Sequence, residues 1–293
     1  MESLRLLQQV IHYVEEHLLT AMEIDEIAQA AMTSKYHFQR MFHALTGFTV
    51  SEYVRNRRLT LAAEELVGTD HKIIDIALKY GYESPEGFAK AFQRMHGVTP
   101  LAARKTNAKL KAFPRLSFRI QIKGDTEMNY RIVQEQAVTV IGRDVIIRQD
   151  PFTEIPAFVE EIWKSGTHDH INQTVGRQTG ALLYGYHFDF NEDGTRRYLM
   201  GTELPEGTIA PEGLTILHVQ EQSYAVFDSR ETIPDGVEMG LEIRNVWHRI
   251  YSEWFPSSSL EQVEGPCIEK YYWTNEEQSE YVCEVWIPIR RKA

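Results

Sequence analysis

The chain has 293 residues, with 42 acidic against 31 basic side chains and a formal net charge of −11. Its hydrophobic content of 43% and charged content of 25% exclude wholesale disorder, and no apolar run approaches the ~20 residues that span a bilayer. Two cysteines, Cys267 and Cys283, are too few for a disulfide framework, and the N-terminal MESLRLLQQVIHYVEEH is acidic where a signal peptide would be basic, so the chain reads as cytoplasmic. The net acidity argues against a nucleic-acid partner only until it is resolved along the chain. Residues 1–112 carry 14 basic and 13 acidic side chains, a net of +1, and residues 113–293 carry 17 and 29, a net of −12. From Lys90 to Lys111 there are six basic residues and no acidic one, which suggests either a surface for a different partner or a solvated basic helix end.

The first ~105 residues show helical periodicity almost throughout. Leu6, Leu7, Val10, Ile11 and Val14 fall on one helical face, and six further helical stretches follow, separated by short breaks at Met32-Thr33-Ser34, Gly68-Thr69-Asp70 and Gly81-Tyr82-Glu83-Ser84. Residues 24–49 and 73–99 form a degenerate repeat. Ile27-Ala28 matches Ile76-Ala77, and Phe38, Phe42, Gly47 and Thr49 match Phe88, Phe92, Gly97 and Thr99. Each copy is a short apolar helix, a tight turn and a second helix. The second helices bury Phe38, Met41, Phe42 and Leu45 in one copy and Phe88, Ala91, Phe92 and Met95 in the other. Their opposite faces then project Tyr36, Gln39 and Arg40, and Glu86, Lys90 and Arg94. Two such units suit a helix–turn–helix pair that places each second helix in a major groove, where Arg, Lys and Gln meet base-edge acceptors; an antiparallel helix pair with no DNA role has the same pattern.

The stretch IAQAAMTSKYHFQRMFHALTGFTVSEY, with IIDIALKYGYESPEGFAKAFQRMHGVTP further on, resembles the DNA-binding domain of the AraC/XylS family of transcription regulators. The resemblance implies that Lys35, Tyr36, Gln39 and Arg40 of the first reading helix meet DNA, as do Pro85, Glu86, Lys90 and Arg94 of the second. Gly87 departs from what a helix's first turn favours. Most of the family carries this domain at the C-terminus; here it is N-terminal, as in the subgroup with the right-origin-binding-protein-like arrangement.

From Phe113 the pattern changes to β-branched and aromatic alternation. SFRIQIKG, AVTVIGRDVIIR, SYAVFDSR and EYVCEVWIPI read as strands, and PFTEIPAFVEEIWKSG and VEMGLEIRNVWHRIYSEW as helices. The boundary falls within Asn107–Arg115, giving residues 1–110 as the DNA-binding domain, 111–127 as a linker and first strand, and 128–293 as a second domain. Two halves of that domain share the order strand, helix, strand, strand. This pattern, with the closing IEKYYWTNEEQSEYVCEVWIPI, resembles the GyrI-like effector-binding domain. The fold expected is therefore an all-α double helix–turn–helix domain followed by an α+β domain with a concave antiparallel sheet. The resemblance implies a pocket between the halves for a small aromatic or cationic compound.

All five tryptophans lie in this second module. An aromatic cavity with a buried carboxylate suits an apolar cation, and Glu284, the sole acid inside an apolar strand, is the first candidate, with Glu269 the second. The effector residues expected are Trp163, Tyr184, Trp247, Trp254, Glu269, Tyr271, Glu284 and Trp286, although core packing is the alternative for most single aromatics and an edge-strand position for each glutamate. His168-Asp169-His170 reads as a polar loop without a third metal ligand, so no metal, cofactor or catalytic residue is assigned. The chain thus reads as a transcription regulator, an activator, with double-stranded DNA, a small effector and RNA polymerase as partners and no membrane association. The alternatives are a hydrolase, with a pocket glutamate as general base, and a protein-docking module.

Overall fold

The computed structural model describes residues 2–20, 22, 24–31, 33–105, 108–117, 127–148, 150–191, 194–229, 241–273 and 281–292. The chain divides into two compact units, Met1–Ile122 and Lys123–Ala293.

The first unit contains, among the described residues, seven helices: α1 (Glu2–Glu16), α2 (Ile24–Ala30), α3 (Lys35–Thr46), α4 (Val50–Gly68), α5 (Ile73–Lys79), α6 (Pro85–His96) and α7 (Pro100–Lys105). The repeat is visible in the caps. Ser34 and Ser84 accept the backbone N–H of His37 and Gly87 at 3.2 and 3.1 Å, each satisfying one free donor of the first helical turn. Gly47 and Gly97 end α3 and α6 in the left-handed region at φ 75° and 79°, which an L side chain resists. Thr49 and Glu52 close a reciprocal capping box at the start of α4. Phe88 and Phe92 of α6 lock into Leu59, Ala62 and Leu66 of α4 and Ile76 and Ala77 of α5, forming the second copy's core.

The second unit is a curved antiparallel sheet with helices against one face. Its elements are β1 (Tyr130–Glu135), β2 (Val138–Ile147), α8 (Pro151–Lys164), α9 (Thr167–Thr174), β3 (Tyr184–Phe188), β4 (Arg196–Glu203), β5 (Thr215–Val219), β6 (Gln222–Asp228), α10 (Leu241–Arg249), a π-helical turn at Ile250–Trp254, β7 (Leu260–Gln262), β8 (Cys267–Trp273) and β9 (Tyr281–Arg291). The strand order β1-β6-β9-β8-β3-β4-β2-β5 shows the duplication directly. β6-β9-β8 and β2-β4-β3 are the same motif, joined back to back along β8 and β3. Only two residues separate β1 from β2, and two separate β5 from β6, although these strands lie toward opposite ends of the order. The sheet therefore curls until Val133, Val138, Leu217 and Val219 share one cluster with Tyr186, Tyr224 and Trp286 on its concave face.

Three expectations shift. The boundary lies at Ile122/Lys123 rather than within Asn107–Arg115, because Leu110 and Phe113 still pack on the helices of the first unit. Residues 111–117 form no strand, and the rest of SFRIQIKG lies outside the described residues; the first described strand is β1, which its exposed, polar YRIVQE sequence concealed. His168-Asp169-His170 is not a loop but part of α9, where polar THDHINQT presents His168, Ile171 and Asn172 inward at i, i+3 and i+4. Residues 237–240 of the expected long second helix lie outside the described residues, and its end is the π-helical turn. Cys267 and Cys283 are buried strand residues that share no disulfide.

Candidate functional site

In α6 the expected polar face is presented to solvent. Glu86, Lys90 and Arg94 are exposed, Pro85 is half-buried at the first helical position, and Gln93, which the outward stripe had not included, stands exposed beside them. The Gly87 N–H is the donor that Ser84 caps, and a Cβ there would sit 3.1 Å from the Ser84 oxygen. The neighbouring α5 is tied to α4 by Glu65, which accepts Lys79 Nζ at 2.6 Å, Tyr80 OH at 2.9 Å and His71 Nδ1 at 2.9 Å. Those hydrogen bonds, led by Lys79, draw the Glu65 carboxyl down to about 2.

The first reading helix departs from expectation at one position. Lys35, Tyr36 and Gln39 of α3 are half-buried, with Lys35 Nζ 3.5 Å from Asp25. Arg40 is only 8% exposed, so it is not the outward cation that the spacing gives. Burial on α3 runs beyond the Phe38–Phe42 stripe to His37 and, three residues on, Arg40.

In the second unit the strand register sorts the expected effector residues onto two faces. β8 pairs with β9 as Glu269↔Val285 and Lys270↔Glu284, so the two candidate carboxylates point to opposite sides of the sheet. On the concave side, Glu284 accepts Trp286 Nε1 at 3.0 Å and Arg131 Nη2 at 2.7 Å. Lys270 lies 3.8 Å above the Trp286 ring and pairs with Glu135 at 2.8 Å; Tyr184 lines the same side. The Trp286 and Tyr184 rings there already face the protein's own cations, Lys270, Arg131 and Arg177.

On the opposite side, under α10, Glu269 is 4% exposed and each oxygen is held. Trp247 Nε1 donates to Oε1 at 3.0 Å, Tyr271 OH to Oε2 at 2.9 Å, and His187 Nε2 lies 3.2 Å from Oε1. Burial alone would raise this carboxyl, but the charge of His187 and the hydrogen bonds from His187, Trp247 and Tyr271 outweigh it and hold the group below its ordinary value. His187 packs edge-on against Tyr198 and Trp247, and Trp247 stacks with Tyr251 in the π-helical turn. His187, Tyr198 and Tyr251 escaped sequence reasoning because they only converge through the β3–β8 seam; the period-2 alternation of GYHF was the available signal for His187. Trp254 shares this side but packs on Phe227 and Tyr130. Trp163, 45% exposed, stacks on His168 at 3.6 Å and belongs to neither group.

Two family models match this chain. An integron-associated effector binding protein family covers residues 131–289, and a helix-turn-helix domain family covers residues 27–106. The chain is an AraC-type regulator with an integron-associated effector-binding domain. Among relatives, the transcriptional regulator Rob of Salmonella typhimurium is 25% identical across 99% of this chain and 100% of its own length. The regulatory protein SoxS of the same organism is 40% identical over 34% of this chain and 94% of its own. The HTH-type transcriptional regulator YbfP of Bacillus subtilis is 42% identical over 33% of this chain, which spans only 33% of that relative. In this AraC-type regulator the helix-turn-helix match contains α3 through α6, and the effector-binding match contains both carboxylates. Its function is DNA-binding transcription regulation under effector control. Among the described residues, no helix is long and apolar enough to cross a membrane.

Proposed function

We propose that this regulator binds an asymmetric DNA site with α3 and α6 in successive major-groove segments, activates transcription in the cytoplasm through contact with RNA polymerase, and is controlled by a small aromatic or cationic effector received at Glu269. The observation that carries the effector site is the ionised, fully enclosed Glu269 carboxylate inside an aromatic frame of Trp247, Tyr271, Tyr198 and Tyr251. A buried carboxylate attracts an apolar cation by direct charge and its aromatic walls by their ring faces. The element above it is irregular, α10 giving way to the π-helical turn; such turns recur at functional sites. Glu284 is the weaker candidate, since Arg131 and Lys270 already occupy its surroundings.

A catalytic role is disfavoured on the same chemistry. A general base needs a raised pKa and a free oxygen facing water, whereas Glu269 is held low and is fully hydrogen-bonded. The reading is tested by thermal shift and calorimetry with a panel of aromatic quaternary ammonium cations. Saturable binding without turnover, lost in Glu269→Gln and kept in Glu284→Gln, supports it. Binding lost in Glu284→Gln and kept in Glu269→Gln places the effector on the concave side instead.

A further inference from the structure

The segment that leaves the last helix of the first unit does not simply run away from it. Both backbone groups of Phe113 are taken by α4: its N–H donates to Thr60 Oγ1 at 2.9 Å, and its carbonyl accepts Arg57 Nη1 at 2.7 Å. Three residues on, Leu116 N–H donates to Tyr53 OH at 3.2 Å. The Phe113 ring stands edge-on to Phe48 at 4.9 Å and to Tyr53 at 5.9 Å. Phe48 is the residue between the Gly47 end of α3 and the Thr49 start of α4, and Tyr53 packs in turn on Phe42 of α3. Tyr53 and Arg57 are themselves fixed, both donating to Glu15 of α1, at 2.6 Å from Tyr53 and at 2.8 and 2.9 Å from Arg57. Three helices thus present a prepared track, and a single aromatic of the outgoing chain keys into the α3–α4 corner.

We propose that Phe113–Leu116 is a positioning strap for the first reading helix. Docked, it sets the angle between α3 and α4; undocked, it leaves a reader in which only α6 is held in place, because the α6 core rests on α4, α5 and Ala103 of α7, with Leu110 upstream of the strap packed on it and Phe113 outside it. Phe113 touches no reading residue and acts through Phe48 and Tyr53. Since the chain passes from this strap into the effector-binding unit, its docking is a place where a signal would reach one DNA contact and spare the other. The proposal rests on the two-helix reading given above.

The test is hydroxyl-radical footprinting of the full chain on a site obtained by selection from random DNA. Gln39→Ala and Lys90→Ala assign each protected segment to α3 or α6. Phe113→Ala is expected to lose the α3 segment, keep the α6 segment and lower affinity about tenfold, and Phe113→Tyr is expected to restore both. An unchanged footprint in Phe113→Ala, or equal loss of both segments with hydrogen exchange showing α3 and α6 folded, overturns the strap. Should Phe113→Ala unfold the unit, Thr60→Val removes one strap contact alone, and an intact α3 segment in that variant is the overturning result. If Gln39→Ala and Lys90→Ala fail to divide the footprint, the two-helix reading itself falls, and the strap with it.

Discussion

His187 and Glu269 face each other across the seam where the two halves of the duplicated sheet join, with His187 Nε2 3.2 Å from Glu269 Oε1. They stand on β3 and β8, one residue past the Tyr186↔Ile268 pair in each strand, so they occupy matching places in the two halves. The duplication has been used to set a base against an acid at its centre.

That pairing fixes a pH dependence. The folded-state pKa of Glu269 is lowered, so its contribution is present above the unfolded carboxylate value of about 4.3 and is lost as pH falls through the lower folded value. Glu269→Gln, which keeps the shape and removes the charge, should flatten the acid limb of a melting-temperature profile below about pH 4. His187→Ala should cost about 3 kcal/mol at neutral pH by leaving a buried charge without its partner. A profile for Glu269→Gln that parallels the parent contradicts the assignment.

Glu65 predicts a second acid-sensitive joint, in the first unit. With its carboxyl drawn down to about 2 by Lys79, His71 and Tyr80, it contributes above about pH 4 and loses that contribution between about pH 4 and 2. Glu65→Gln should loosen α5 and α6 while α3 is unaffected, measured as amide exchange at neutral pH. Equal loosening of α3 would show that Glu65 has no local role.

Much of the fold could be read from periodicity and chemistry. The α3 and α6 helices announced themselves through Phe38/Phe42 and Phe88/Phe92, with Ser-led starts and glycine ends at Gly47 and Gly97, because caps and core stripes are local features. The site was only half legible. Glu269 and Glu284 looked alike as acids in aromatic strands; only the register of β8 against β9 puts them on opposite faces, and register is a long-range property that alternation alone leaves open. Arg40 sits where the helix spacing points outward, yet burial beyond the apolar stripe covers it. β1 was hidden because an exposed edge strand has no apolar alternation to display.

Gly185 tests the packing beneath the carboxylate. It pairs with Glu269 in register, and a Cβ at this position would lie 2.3 Å from the Tyr198 hydroxyl oxygen. Because Tyr198 is fully buried and cannot swing away freely, Gly185→Ala should destabilise the second unit by about 1–3 kcal/mol, read from denaturant midpoints. A neutral result would mean that Tyr198 has another rotamer available and that the frame around Glu269 is loose.

The reading helices make separable predictions for binding. Lys90→Ala and Arg94→Ala should each cost about 1–3 kcal/mol if they meet bases, or lower the salt slope by about 1 if they meet phosphate. Arg40→Ala, from a buried position, should change stability more than base preference. Competition binding against single-base variants of the selected site distinguishes these, and a base-specific loss in Arg40→Ala would contradict the burial-based assignment.

The most direct test of the whole account is the number of chains on one site. Native mass spectrometry of the regulator with a selected DNA duplex, combined with footprinting, should give one chain per duplex and two protected major-groove segments about one helical turn, ~34 Å, apart. Two chains per duplex, each protecting a single segment, would contradict the claim that α3 and α6 of one chain read together.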